Sequence, residues 1–141
     1  MNAESLFNLE GKTAIVTGGG NGIGKGACEI LSEHGANVVV SDLKIEDAQN
    51  VADAIQKNGG KAVAVSCNVT KDEDLVNVVE TAKKEFGGVD ILINNAGAGG
   101  GGREKPFKIG VDKFEWVFKL NVFSAWRLSQ LCAPEMQKSG Y

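Results

Sequence analysis

The stretch TAIVTGGGNGIG, residues 13–24, runs an apolar, β-branched segment straight into a turn with five glycines among the eight residues Thr17–Gly24. Glycine loses more backbone entropy on folding than any other residue, so this density marks a place where side chains were removed for a reason. A strand that enters a helix through such a turn gathers free backbone N–H groups and the positive helix end at one point. That is an anion site. In this reading Gly18 permits the tight turn, Gly22 lets the backbone approach a ligand, and Gly24 lets the helix pack against the strand. Asn21 and Ile23, between those glycines, belong to the same ligand-binding set.

Outward from the turn, strand and helix patterns alternate. Ile23, Ala27, Ile30 and Leu31 keep helical spacing, and Gly35 is a natural stop. NVVVSD (37–42) reads as a buried strand, Ala48, Val51, Ala52 and Ile55 as a helix stripe, and NGG (58–60) as its end. KAVAVSC (61–67) is a third strand. Leu75, Val78, Val79, Ala82 and Phe86 mark a third helix closed by Gly87-Gly88, and VDILIN (89–94) is a fourth strand. Thr70 with Glu73, and Asp112 with Glu115, have the spacing of capping boxes, with Val111 and Trp116 placed to staple the second. A long helix is expected from 112 to about 138, bent or shortened by Pro134.

Strands this apolar, separated by amphipathic helices, predict an α/β fold: a Rossmann-type parallel sheet with helices on both faces. AGAGGGGREKP (96–106) reads as a flexible loop after a strand end, where open α/β sheets bind ligands. EKPFK within and beyond it is mixed in charge and reads as a solvated loop.

The bulk properties narrow the function. A chain of 141 residues is expected to form one domain spanning 1–141, and 43% hydrophobic with 23% charged residues is ordinary for a globular protein. The net charge of −3 argues against a nucleic-acid partner bound by phosphate neutralisation. No apolar run approaches the ~20 residues that span a bilayer, so no membrane partner is expected. MNAESLFNLEGK lacks the basic flank and apolar core of a secretion signal. Cys28, Cys67 and Cys132 are odd in number and widely spaced, which predicts no metal site and buried free thiols in a reducing, cytoplasmic compartment.

The second strand ends at Asp42, 18 residues beyond Gly24. A carboxylate there accepts hydrogen bonds from the adenosine ribose hydroxyls of NAD and repels the extra phosphate of NADP. Leu43 follows it, and no Lys or Arg occupies 19–21 or 43. NAD is the expected cofactor.

With the turn and the acid in place, Thr-Gly-x3-Gly-x-Gly at 17–24, NNAG at 94–97 and LNVFSAWRLSQLCAPEM at 120–136 resemble the short-chain dehydrogenase/reductase family. VVVSDL and VDILINNAGAGGGG are similar, more narrowly, to its bacterial hydroxysteroid dehydrogenases. The resemblance implies strand order 3-2-1-4 and hydride transfer between NAD(H) and a small-molecule secondary alcohol or ketone, such as a hydroxysteroid. It places Asn95, Ala96 and Gly97 on the nicotinamide side of the cofactor. It puts Asn68, where the family usually has Asp, beside the adenine, with its amide oxygen accepting from the adenine amino group and Val69 packed on the ring. Asn121 falls on the family's catalytic asparagine, whose backbone carbonyl holds a water leading to the catalytic lysine.

The family's serine, tyrosine and lysine have no counterpart here. Tyr141 is the single tyrosine and the last residue, and His34 ends the first helix away from the strand ends. The resemblance is therefore to the N-terminal, cofactor-binding half of a dehydrogenase. Two further readings stand beside that one: a module that binds NAD or adenosine without turnover, and an oligomerising fragment. Self-association is expected in any case, through the VDILIN strand as a sheet edge or through Phe114, Trp116, Phe118, Phe123 and Trp126 on the long helix.

Overall fold

The computed structural model describes residues 6–99 and 105–141. Strands β1 (Thr13–Thr17), β2 (Asn37–Asp42), β3 (Lys61–Ser66) and β4 (Ile91–Ile93) form one parallel sheet in the order β3-β2-β1-β4, as expected. β1 is central and buried along its whole length. Helix α1 (Gly22–Glu33) follows β1, α2 (Ile45–Lys57) follows β2 and α3 (Asp72–Phe86) follows β3. After β4 come a 3-10 turn at Pro106–Lys108, α4 (Val111–Phe118), a π-helical turn at Lys119–Phe123 and α5 (Ser124–Ser139).

Side chains alternate across a strand, so each apolar strand feeds two cores. On one face Val38, Val40 and Ala62 meet Cys28 of α1 and Ala48, Val51, Ala52 and Ile55 of α2. On the other, Ile15, Val39 and Val65 meet Leu75, Val78, Val79 and Ala82 of α3 with Leu128 and Cys132 of α5. Burying each of the larger of these side chains contributes about 1.5–3 kcal/mol. The three thiols are free and buried. Burial pushes Cys28 and Cys132 up to about 12 and Cys67 up to about 11, so all three stay protonated and inert at neutral pH.

Several local expectations are corrected. Strand β4 covers Ile91–Ile93 rather than 89–94, because the Asn95 N–H donates back to the Ile93 carbonyl (3.0 Å) and breaks the ladder. Of the expected α1 stripe, Ala27 and Leu31 pack against the core beside the buried Gly24 and Cys28, while Ile23 is 86% exposed and Ile30 also faces outward. Neither capping box forms. Thr70 lies outside α3, whose cap is Lys71, and its hydroxyl donates to Asn68 Oδ1 (2.8 Å); α3 starts instead with Asp72, Glu73 and Asp74 against its positive end. α4 starts at Val111 with Gly110 as its cap, so Asp112 is already helical, and exposed Val111 staples nothing. The long helix is interrupted by the π turn, yet Pro134 does not shorten it: α5 runs to Ser139. Of EKPFK, Glu104 lies outside the described residues, and the rest carries the 3-10 turn with an exposed Phe107. The loop AGAGGGGREKP falls partly outside them too, at 100–104.

Candidate functional site

Among the described residues, a hollow opens at each end of the sheet. The larger, about 940 Å³, is lined by Glu10, Glu29, Glu33, His34, Asn58 and Lys61 near the carboxyl ends of α1 and α2. Helix carboxyl ends are negative, and they add to the three glutamates. The smaller, about 530 Å³, lies at the carboxyl ends of all four strands, where the helix amino ends converge. Its size suits a small-molecule ligand. Geometry and charge both favour the smaller one as the site of an anionic ligand.

The turn after β1 forms one wall, with Gly18, Asn21 and Ile23 on the cavity. Gly18 has φ +64°, a conformation other residues rarely adopt. A Cβ on Gly24 would run into the Gly18 carbonyl oxygen and come within 2.6 Å of Asn95 Nδ2. Gly24 thus seats the helix start on the turn itself rather than on the body of the strand. A Cβ on Gly22 would meet nothing within 4 Å, so the approach to the helix amino end is open.

The opposite wall is tied to this turn by Thr17 and Asn95. The Thr17 hydroxyl accepts from the Asn95 and Ala96 N–H groups (3.1 and 3.0 Å), and Asn95 Nδ2 donates to the Thr17 and Gly18 carbonyls (3.0 and 3.1 Å). Ala96 and Gly97 continue along the cavity. Asn121 sits in the middle of the π turn, where its Nδ2 donates to the carbonyls of Ala98 (3.0 Å) and Val117 (2.9 Å) and its Oδ1 accepts from Ala98 N–H (3.2 Å). Its side chain therefore holds the loop after β4 and does not line the cavity.

At the far side, Asp42 and Leu43 line the cavity from the end of β2. Asp42 Oδ2 accepts from Gly20 N–H (2.9 Å) and Oδ1 from Lys44 N–H (3.1 Å). Each carboxylate oxygen keeps a lone pair for a further donor, so a ribose diol fits there. Beyond it lie Asn68 and Val69, after β3. Asn68 Oδ1, expected to face an adenine amino group, is already occupied by Thr70 N–H (3.0 Å) and the Thr70 hydroxyl (2.8 Å).

Of the expected set, Gly18, Asn21, Ile23, Asp42, Leu43, Asn68, Val69, Asn95, Ala96 and Gly97 share this one cavity; Gly22 and Gly24 shape its turn, and Asn121 acts on its wall. Cys67, Thr70, Ala98, Trp116 and Leu120 also line it and were not anticipated. Trp116 and Leu120 read in sequence only as helix positions. The residues present fit NAD: an open helix amino end, a positioned carboxylate one strand over, and room on either side. Among the described residues no group of His, Cys, Asp or Glu is arranged to hold a metal, and no helix is long and apolar enough to cross a membrane.

Comparisons with known proteins agree with this geometry. The short chain dehydrogenase family model matches residues 12–141. The chain is 46% identical over 139 residues to 7α-hydroxysteroid dehydrogenase of Escherichia coli K12, covering 99% of this chain and 53% of that protein. A solved structure of 7α-hydroxysteroid dehydrogenase complexed with NADH and 7-oxo glycochenodeoxycholic acid superposes with a TM-score of 0.91 at 46% identity, over 99% of this chain and 53% of that one. A short-chain dehydrogenase/reductase of Mycobacterium marinum gives the same TM-score at 32% identity, covering 99% and 56%. The chain thus spans about half the length of the relatives it matches. Sequence, strand order and site geometry converge, and the chain belongs to the short-chain dehydrogenases.

Proposed function

We propose that this chain is the NAD(H)-binding portion of a hydroxysteroid-dehydrogenase-type oxidoreductase that transfers hydride between NAD(H) and a secondary alcohol or ketone. The observation that carries the reading is the single cavity running from the glycine turn past Asp42 to Asn68 on one side and to Asn95–Ala98 on the other. The turn and the α1 amino end take the pyrophosphate, Asp42 the adenosine ribose, and the Asn95–Gly97 segment the nicotinamide side. NAD(H), when bound, supplies or accepts the hydride. Asn121 fixes the loop that borders the nicotinamide, and its peptide carbonyl, in a π turn of the kind that concentrates at functional sites, is assigned to the proton path. The steroid class rests on the 46% identity to 7α-hydroxysteroid dehydrogenase and on that relative's 7-oxo bile-acid complex. Three free, buried thiols fit a reducing, cytoplasmic setting.

Calorimetry tests the cofactor assignment. NAD is expected to bind at least ~10-fold tighter than NADP, since hydrogen bonds to a charged group are worth about 1.5–3 kcal/mol and a 2′-phosphate would meet the Asp42 carboxylate instead. Asp42→Ala should weaken NAD and narrow the gap. Equal or tighter NADP binding by the parent chain would overturn the assignment.

A second reading, an oligomerising fragment, is favoured by the surface of the α4–α5 segment. Phe114, Trp116, Phe118, Phe123 and Trp126 are all exposed, Trp126 by 69%, and β4 pairs on one side only, with β1. Such a run of aromatics exceeds what monomers usually leave in water. The 141-residue chain on its own is expected to sediment as a two-fold dimer or a larger closed oligomer. A stable monomer at micromolar concentration contradicts this.

A further inference from the structure

The purine end of the cavity is built differently from what its residue types suggest. Asp42 is paired in register with Ser66, and Cys67 N–H donates to the Asp42 carbonyl (2.8 Å), so residues 67–70 lie directly beside the ribose position. A dinucleotide with its pyrophosphate on the glycine turn and its ribose on Asp42 has one place for its base: over Asn68 and Val69. This inference rests on the NAD reading above.

Asn68 cannot present an acceptor to that base. The atom 3.0 Å from Thr70 N–H must be the amide oxygen, because an N–H only donates, and the Thr70 hydroxyl bonds the same atom. The Asn68 N–H is taken by Asp74 Oδ2 (2.8 Å). What the side chain has left for the cavity is its Nδ2 amino group, for which no acceptor exists among the described residues. Asn68 and Val69 both line the cavity, and the polar group that the Asn68 side chain offers a base there is a donor.

Adenine meets that donor with N1 or N7 and finds no acceptor on Asn68 for its N6 amino group. A 6-oxopurine meets the same donor with O6 or N7, so neither base gains a hydrogen bond over the other. We propose that Asn68, locked by Thr70, makes this subsite indifferent to the adenine 6-amino group, so that nicotinamide hypoxanthine dinucleotide binds in place of NAD without loss. Asn68→Asp keeps the shape and the Thr70 bonds but replaces the amino group with an acceptor oxygen. That variant should select adenine.

Calorimetric titration of the chain with NAD and with nicotinamide hypoxanthine dinucleotide decides the matter, with Trp116 fluorescence at the cavity wall as a second readout. The parent chain is expected to bind the two within about fivefold, and Asn68→Asp to favour NAD by at least about tenfold, as a site built to hydrogen-bond one group does against its analogue. A parent chain that prefers NAD by more than fivefold overturns the proposal while leaving the NAD site standing, and so does an Asn68→Asp ratio equal to the parent's. Binding of neither dinucleotide to the parent overturns the NAD reading and this proposal with it. If the variant does not fold, the parent's own ratio decides.

Discussion

Supplied with NADH and 7-oxo glycochenodeoxycholic acid, the 141-residue chain is expected to transfer hydride at least ~10²-fold more slowly than E. coli 7α-hydroxysteroid dehydrogenase assayed beside it, the loss that follows from lacking a positioned acid–base group. Carbonyl reduction needs a proton donor at the substrate oxygen, and each described candidate is in the wrong place or the wrong state. Tyr141 is the only phenol, and its ring lies over Lys12 Nζ, 4.2 Å from the ring centre. Lys12 precedes β1 and pairs with Asp90 at the start of β4, so the phenol sits at the amino end of the sheet. The cavity is at the other end, roughly 15 Å away along a five-residue strand. His34 caps α1 at that same amino end. Cys67 does line the cavity, but burial pushes it up to about 11, far above the neutral pH at which a base or acid is efficient. Robust turnover by protein of verified mass would contradict the expectation and require a group not named here.

The same geometry explains what the sequence discloses and what it hides. The two cores are legible because they follow from apolar runs in β2 and β3 and from i, i+3, i+4 spacing in α2 and α3, which the packing obeys residue for residue. The strand order is legible only through the family resemblance. Pattern fails where a tertiary partner outbids it. Ile23 has helix-core spacing with Ala27 and Leu31, which do reach the core, yet the α1 face centres on Gly24 and Cys28 and leaves Ile23 on the cavity rim. Thr70 has the spacing of a cap, yet Asn68 captures its hydroxyl in a local turn. The π turn at Lys119–Phe123 is invisible to periodicity because Phe114, Trp116, Phe118 and Phe123 put apolar residues on several sides of the helix. In the site, spacing finds the glycine turn and Asp42, which are close in sequence. It does not find Thr17, whose single hydroxyl joins β1 to the segment after β4, because that contact spans 78 and 79 positions. Nor does it find the state of Asn68. The residue type suggests an acceptor, and only the Thr70 bonds reveal that the acceptor is already used.

Gly24→Ala should cost about 3 kcal/mol of stability, against the local preference of the helix. In a helix, Gly→Ala ordinarily gains up to about 1 kcal/mol. Here the added methyl would occupy the position of the Gly18 carbonyl oxygen and crowd Asn95 Nδ2 at 2.6 Å. Neither neighbour can yield cheaply. Gly18 is held in its left-handed conformation while its carbonyl accepts from Asn95, and Asn95 also clasps Thr17, so relief means lifting α1 off the turn and breaking the tie between β1 and the loop after β4. Overpacking of this kind costs about 1–3 kcal/mol, and each lost hydrogen bond adds about 1. For a chain of this length the melting temperature should fall by roughly 10 °C, and NAD binding should disappear because the pyrophosphate turn is displaced. Gly26→Ala is the matched control. It lies in the same helix, and a Cβ there would meet nothing within 4 Å, so it should raise stability by about 0.5–1 kcal/mol. Thermal and urea denaturation of the two variants then give opposite signs from the same chemical change two residues apart. A Gly24→Ala chain as stable as its parent would mean that the helix start does not rest on the Gly18 carbonyl, and the account of the turn would fall with it.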